Sequence, residues 1–258
     1  MNTEQQYILT IAGHDPSGGA GLTSDIKTFE AHGLYGLSVC TAVTVQNDVD
    51  FESVNWVDSQ LILSQIETLF KRFQIDIVKI GIIENWKVLL EVVQKLKAIN
   101  SEIQIILDPV LKASAGYDFH SQDDLEVLDQ VLELVTVITP NFDEIQNLYP
   151  DKDIEDTIEH LSNKTNIYLK GGHRTDKKGW DELYHSKIVQ CNIPPILDQV
   201  FDKHGSGCVL SSSLAANLAL DLSLEDASFT AKKYTEEFLN SNESLLGRHF
   251  RIQKIEVK

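Results

Sequence analysis

Short unbroken apolar runs alternate along the chain with longer stretches whose apolar positions recur every three to four residues. The first pattern marks strands buried on both faces, and the second marks amphipathic helices. Residues 7–12, 37–45, 77–80, 103–107, 135–139 and 167–170 are predicted strands, the second of them rich in Val and Thr. Residues 19–32 have helical spacing through Leu22, Ile26 and Phe29, with Ala20 and Ala31 as small packing residues. Residues 59–73 carry a stripe of Leu61, Ile62, Ile66, Leu69 and Phe70, and residues 87–99, 123–134 and 143–148 read as further helices. Residues 183–193 suggest a hairpin turning near His185, Ser186 and Lys187, and the small and apolar run 209–222 is predicted as a long helix. This alternation predicts an α/β fold, a mainly parallel sheet with helices on both faces. No repeat, low-complexity block or Pro/Gly/Ser-rich linker interrupts it, so residues 1–258 are expected to form one domain.

Charge and cysteine content narrow the function classes. The formal net charge is −17, with no basic stripe to displace counterions, so a nucleic-acid partner is not expected. Any bound phosphate must be met by helix ends, one or two lysines, or a metal. The three cysteines, Cys40, Cys191 and Cys208, are odd in number and widely spaced, which suits a reducing compartment better than a disulfide framework. No apolar stretch is long enough for a signal peptide or a membrane span, and acidic Glu4 precedes the first strand. A soluble, cytoplasmic protein with no membrane partner is expected.

Chemistry collects where predicted strands end, the rim on which open parallel sheets bind ligands. Gly13-His14-Asp15, Gln46-Asn47-Asp48, Asp108-Pro109, Thr139-Pro140-Asn141 and Lys170-Gly171-Gly172-His173 all lie there. The glycine-rich stretch 13–21 fits neither a P-loop nor a dinucleotide fingerprint. It is either a tight packing turn or a floor that lets a flat substrate approach the backbone. Asp25, in the helix that follows, either faces solvent or holds a hydroxyl or ring nitrogen. Asp108 either caps a turn or helps hold Mg²⁺ or a phosphate. Asn141 and Glu144 fit a helix cap, or Glu144 sits on a metal-bound water, since magnesium needs only one or two carboxylates. Lys170 either extends to solvent or clamps a nucleotide phosphate. Gly205-Ser206-Gly207-Cys208 precedes the long helix 209–222. Glycines there let backbone N–H groups converge on an anion, and the cysteine, on the first turn of the same helix and in its positive field, is expected to favour its thiolate. His204 beside it reads as structural.

Taken together these residues resemble the ribokinase-like superfamily and, within it, the hydroxymethylpyrimidine/phosphomethylpyrimidine kinases of thiamine biosynthesis. The resemblance runs from about residue 8 to about residue 239. It rests on 11–21 with Asp25, Thr28 and Phe29, on 42–47, on Val78-Lys79-Ile80-Gly81, on 107–110 with 139–141 and Glu144, and on 170–173 with 204–208. Cysteine at 208, where most of the superfamily has aspartate, marks the pyrimidine kinase branch and some pyridoxal kinases. The resemblance implies a three-layer α/β/α fold, ATP and Mg²⁺ as cofactors, and two successive phosphorylations, of 4-amino-5-hydroxymethyl-2-methylpyrimidine and of its monophosphate. It implies that Gln46, Asp25, Gly13 and Val110 contact the pyrimidine. Lys170, Asn141 and Glu144 would serve ATP, Asp108 and Glu144 the metal, and Gly205, Ser206, Gly207 and Cys208 the transfer itself. It also implies a homodimer. His14, Ser206, Ile82 and the loop 112–116 depart from the commoner family residues, though none of these removes a polar group the chemistry needs. Pyridoxal kinase activity and a pyrimidine or nucleotide sensor without turnover remain as alternatives.

Overall fold

The computed structural model describes residues 5–111, 124–172, 174, 177–185 and 188–252. Nine strands form one sheet: β1 (Tyr7–His14), β2 (Tyr35–Gln46), β3 (Phe51–Trp56), β4 (Ile77–Ile80), β5 (Gln104–Leu107), β6 (Val137–Ile138), β7 (Asn166–Leu169), β8 (Asp181–His185) and β9 (Ile188–Ile193). Their spatial order is β3-β2-β1-β4-β5-β6-β7-β8-β9. The run from β2 to β7 is parallel, and β3, β8 and β9 are added antiparallel at the edges. Helices α1 (Gly21–Ala31), α7 (Ser206–Ala219) and α8 (Leu224–Leu239) cover one face; α2 (Ser59–Phe70), α3 (Trp86–Ile99), α4 (Leu125–Leu132), α5 (Phe142–Leu148) and α6 (Ile154–Ser162) cover the other. This is the expected three-layer arrangement. Among the described residues no helix is long and apolar enough to cross a membrane.

The period-two geometry of the strands sorts side chains between the two faces. Leu9 and Ile11, Val78 and Ile80, Ile105 and Leu107, and Ile167 and Leu169 enter the core beneath α2–α6. Ile8, Ile77, Ile106, Val137 and Tyr168 enter the core beneath α1, α7 and α8. Two residues further along each strand, on that second face, stand Thr10, Lys79, Asp108, Thr139 and Lys170. β5, β6 and β7 therefore each end just before a polar group beneath the same helix layer, β4 carries one at its penultimate position, and β1 carries one in its middle. Helix α7 is buried from Val209 to Leu218, and its consecutive serines bond in three directions. Ser211 donates to Asp108 (3.2 Å), Ser212 to Asp25 (2.6 Å), and Ser213 meets the His32 ring (2.9 Å).

Several element boundaries move. Helix α7 begins at Ser206 rather than 209, so Ser206 and Gly207 join Cys208, expected on the first turn, instead of leading up to it. Strand β3 and helices α6 and α8 are additional to the predicted elements. β3 is an edge strand with no fully buried position, so no continuous apolar run marks it. α6 and α8 start at side-chain caps, Asp153 accepting from the Asp156 N–H and Ser223 from the Asp226 N–H. The predicted positions Asp123, 112–116, His173 and the hairpin tip at Ser186 and Lys187 lie outside the described residues.

Candidate active site

Two glycine-rich segments meet at the carboxyl end of the sheet. Gly205 caps α7 with φ +76°, in the left-handed region that favours glycine. A Cβ there would stand 2.1 Å from the Gly19 carbonyl oxygen, so position 205 excludes any side chain on two counts. No side chain caps α7, which leaves the first-turn N–H groups to a ligand at the positive end of the helix dipole. Ser206, Gly207 and Cys208 line a cavity of about 580 Å³.

That cavity gathers most of the positions singled out in the sequence. Gly13, Gln46 and Val110, the expected pyrimidine contacts, line it. So do Asp108, Asn141, Glu144, Lys170 and Gly205. Asp25 does not. Its carboxylate is fully buried and accepts from Thr10 Oγ1 (2.6 Å), Ser212 Oγ (2.6 Å) and Lys79 Nζ (2.9 and 3.1 Å). With its lone pairs occupied by protein donors, Asp25 is a support behind Lys79 and not a free ligand for a ring nitrogen.

Lys79 is a functional candidate to which the sequence reading assigned no role. It lines the cavity, yet its side chain has no solvent exposure. Burial is the largest influence and would lower its pKa, but Asp25, Cys208 and Asp108 together outweigh it and hold the ammonium above its ordinary range. The available signal was its parity with Ile77 on a fully buried strand, a position where an unpaired lysine is not tolerated.

A second charged group centres on Lys170. Its Nζ donates to Asp108 Oδ1 (3.0 Å) and lies 3.6 Å from Glu144 Oε2. Asp108 also accepts from Thr139 and Ser211. Burial opposes its ionisation, but Lys170 and Lys79 together keep it below the usual carboxylate range. Glu144 makes a reciprocal cap with Asn141, its N–H donating to Asn141 Oδ1 (2.8 Å) and its Oε2 accepting from the Asn141 N–H (2.7 Å). Burial pushes Glu144 up to about 7 despite Lys170, and Asp108 adds to the rise. The helix-cap reading of Asn141 and Glu144 is thus realised, on the edge of the cavity.

The thiolate expectation for Cys208 is overturned. Removal of water from around the sulfur pushes its pKa up to about 11; Lys79 pulls it down, while Asp25 and Asp108 push it further up. Lys79 and a backbone hydrogen bond from Gly21 do not offset burial beside two carboxylates, a balance that favours the neutral thiol.

A neighbouring cavity of about 670 Å³ shares Asn141, Lys170, Ser206 and Gly207 with the first. Its inner end is built on Asp181, Lys232 and Glu236, a buried network absent from the sequence expectations. Lys232 Nζ lies 3.0 Å from Asp181 and 3.4 Å from Glu236. Asp181 accepts from the Gly171 N–H (2.7 Å) and Tyr168 Oη (2.7 Å), and Glu236 accepts from the Ile196 and Leu197 N–H groups (2.8 Å each). Two concavities, each of small-ligand size, therefore meet at one helix end and two lysines, Lys170 and Lys178.

Among the described residues no three His, Cys, Asp or Glu side chains converge as a metal site. Asp108 and Glu144, flanking Lys170, are the carboxylates that would hold a magnesium ion, which needs only one or two of them.

The family model described as phosphomethylpyrimidine kinase matches residues 15–253. A hydroxymethylpyrimidine/phosphomethylpyrimidine kinase of Aquifex aeolicus is 33% identical over 254 residues, covering 95% of this chain and 98% of its own. The crystal structure of a phosphomethylpyrimidine kinase from Clostridium difficile 630 superposes with a TM-score of 0.75 at 32% identity, over 90% of this chain and 99% of its own. The pyridoxal kinase of Staphylococcus aureus in complex with pyridoxal superposes with a TM-score of 0.77 at 25% identity, over 92% of this chain and 88% of its own. A match over almost the whole length, with the fold and the paired cavities in place, makes this chain a member of the phosphomethylpyrimidine kinase family of phosphotransferases.

Proposed function

We propose that the protein transfers the γ-phosphoryl group of ATP to the hydroxymethyl oxygen of 4-amino-5-hydroxymethyl-2-methylpyrimidine, and then transfers a second one to the resulting monophosphate. The observation that carries this reading is the junction: the uncapped first turn of α7 and Lys170 border both cavities at once. ATP occupies the larger cavity with its terminal phosphate at the junction, and the acceptor occupies the smaller one. The acceptor oxygen bonds to the γ-phosphorus as the bond to the β-bridging oxygen breaks. Phosphoryl transfer has a loose transition state, so catalysis here is positioning and neutralisation. The N–H groups of Ser206, Gly207 and Cys208 receive charge on the moving phosphoryl, and Lys170 steadies the leaving phosphate. Asp108 and Glu144 would hold Mg²⁺, whose bound charge would further neutralise the phosphates. The minor thiolate fraction of Cys208 takes the hydroxymethyl proton. Three free cysteines agree with a cytoplasmic enzyme.

Gln46 is assigned to the pyrimidine ring. It lines the acceptor cavity at a β2 bulge and is absent from the lining of the other cavity. Gln46→Leu is expected to raise the KM for the pyrimidine by about five- to thirtyfold, the loss of one or two hydrogen bonds at about 1 kcal/mol each. ATP affinity, measured by calorimetry, is expected to hold. Equal loss of both affinities would remove Gln46 from the acceptor site.

Pyridoxal kinase activity is the second reading, favoured by the similarity to the S. aureus enzyme. Turnover of the pyrimidine alcohol, its monophosphate and pyridoxal, measured side by side, tests the proposal. The monophosphate is expected to be phosphorylated to the diphosphate. No diphosphate, with pyridoxal as the best alcohol, would overturn the pyrimidine assignment. The homodimer implied by the resemblance fits exposed Val43 and Val45 on β2 beside the edge strand β3. Light scattering tests it, and a monomeric mass would reject it.

A further inference from the structure

The bond between His204 and Asp15 joins the two halves of the site, and it has no place in the chemistry above. Asp15 follows β1 in the acceptor-side turn and is 2% exposed. Its carboxylate accepts from the Ser17 N–H, Ser17 Oγ and the Ala20 N–H, each at 2.8 Å. Those three bonds fold the turn on itself. The fourth comes from His204 Nε2 at 2.9 Å, far away in sequence and immediately before the cap of α7. Burial works against ionisation of Asp15, yet the His204, Ser17 and Ala20 bonds hold it below the usual carboxylate range. A carboxylate only accepts, so His204 Nε2 carries the proton. Among the described residues its buried Nδ1 has no hydrogen-bond partner, and the ring makes a single side-chain hydrogen bond, the one to Asp15.

The surrounding packing makes this contact rigid. A Cβ on Gly19 would stand 2.6 Å from His204 Cδ2, and one on Gly205 would stand 2.8 Å from Ala20 Cα. The His204 N–H is tied to the Leu245 carbonyl (2.9 Å) and Lys203 Nζ to that of Asn242 (2.7 Å), so the α7 side is anchored from behind. The turn contributes Gly13 and Gly21 to the acceptor cavity, while Ser206, Gly207 and Cys208 border the transferred phosphoryl.

We infer that His204 and Asp15 are positioning residues, a strap that fixes the acceptor-binding turn against the phosphoryl cradle and so sets the alignment of acceptor oxygen and γ-phosphate. This rests on the kinase reading proposed above. Alignment errors near 1 Å cost about a hundredfold in rate even when every reacting group is present. A strap that fails loses acceptor transfer before it loses ATP binding, and it lets water compete for the phosphoryl group.

The test compares His204→Ala, His204→Gln, whose amide can still donate to Asp15, and Asp15→Asn in the full chain. His204→Ala is expected to lower kcat on the pyrimidine alcohol by about ten- to a hundredfold. The KM for ATP is expected to stay within about threefold, and the share of ATP hydrolysed without transfer to rise. His204→Gln is expected to recover part of kcat and most of the transfer-to-hydrolysis ratio. Asp15→Asn, which loses the charged acceptor, is expected to follow His204→Ala and to carry the test if that variant does not fold. Hydrogen exchange at the amides of residues 17–20 is expected to quicken in His204→Ala and much less in His204→Gln. A lower melting temperature with an unchanged transfer-to-hydrolysis ratio would overturn the strap, as would equal losses in Ala and Gln variants or unaltered exchange. Should the wild type phosphorylate no pyrimidine, the kinase reading fails by itself, and the exchange measurement still decides whether His204 holds the turn.

Discussion

Cys208→Ala is expected to slow phosphorylation of the hydroxymethyl alcohol by roughly 10²- to 10⁴-fold in kcat, the scale of a lost general base. Phosphorylation of the monophosphate is expected to suffer much less. The alcohol must give up a proton as its oxygen bonds to phosphorus, whereas a phosphate oxygen, with a second pKa of about 6, is already anionic at neutral pH. The same logic fixes the sign of the pH dependence. The Cys208 thiol is pushed up to about 11, so near neutral pH only a small fraction is thiolate. That fraction grows about tenfold per pH unit below the pKa. Wild-type turnover of the alcohol should therefore rise with pH between about 7 and 9, and the Ala variant should lack that rise. Steady-state rates on both substrates across this range make the check. A flat wild-type profile, or equal losses on the two acceptors, would move the proton acceptor elsewhere, with the transferred phosphoryl oxygens as the remaining candidate.

Lys79→Met should destabilise the fold by about 3–5 kcal/mol, the usual result of breaking a buried ion pair from one side. The variant leaves the Asp25 carboxylate in a fully buried position with only the Thr10 and Ser212 hydroxyls as donors. At roughly 2–4 °C per kcal/mol for a chain of this size, the melting temperature should fall by about 6–20 °C. Pairing it with Asp25→Asn should recover part of the loss, because no charge is then stranded. Alcohol turnover should also drop, since Lys79 supplies the positive charge that opposes the rise of the Cys208 pKa. Chemical denaturation of the single and double variants measures the effect. A loss below about 1 kcal/mol would mean that water reaches Asp25 once the lysine is gone.

Much of the sheet was legible because strands buried on both faces leave an unambiguous signal. β4 occupies residues 77–80 as predicted, β5 starts one residue later than predicted, and β7 is shifted by one residue toward the N-terminus. β3 escaped because an edge strand buries little, and α6 and α8 because their starts lie in polar side-chain caps rather than in an apolar run. The start of α7 was placed three residues late, since Ser206 and Gly207 look like loop residues when read one at a time. Their helical state depends on the left-handed Gly205 packed against Gly19, a contact between the two ends of the chain.

The candidate site divides in the same way. Gly13, Gln46, Asp108, Lys170 and Cys208 could be picked out locally, because polar and small residues after buried strands have few other uses. The protonation of Cys208, the internal use of Asp25 and the burial of Lys79 could not. Each is a balance between desolvation and charges that arrive from α1, β4, β5 and α7. The amino-acid sequence by itself determined which residues stand at the rim, since hydrophobic periodicity is a local property of the chain. Only the tertiary structure decided which of them face the ligand and in what charge state, because electrostatic energy depends on distances between segments that lie far apart along the backbone.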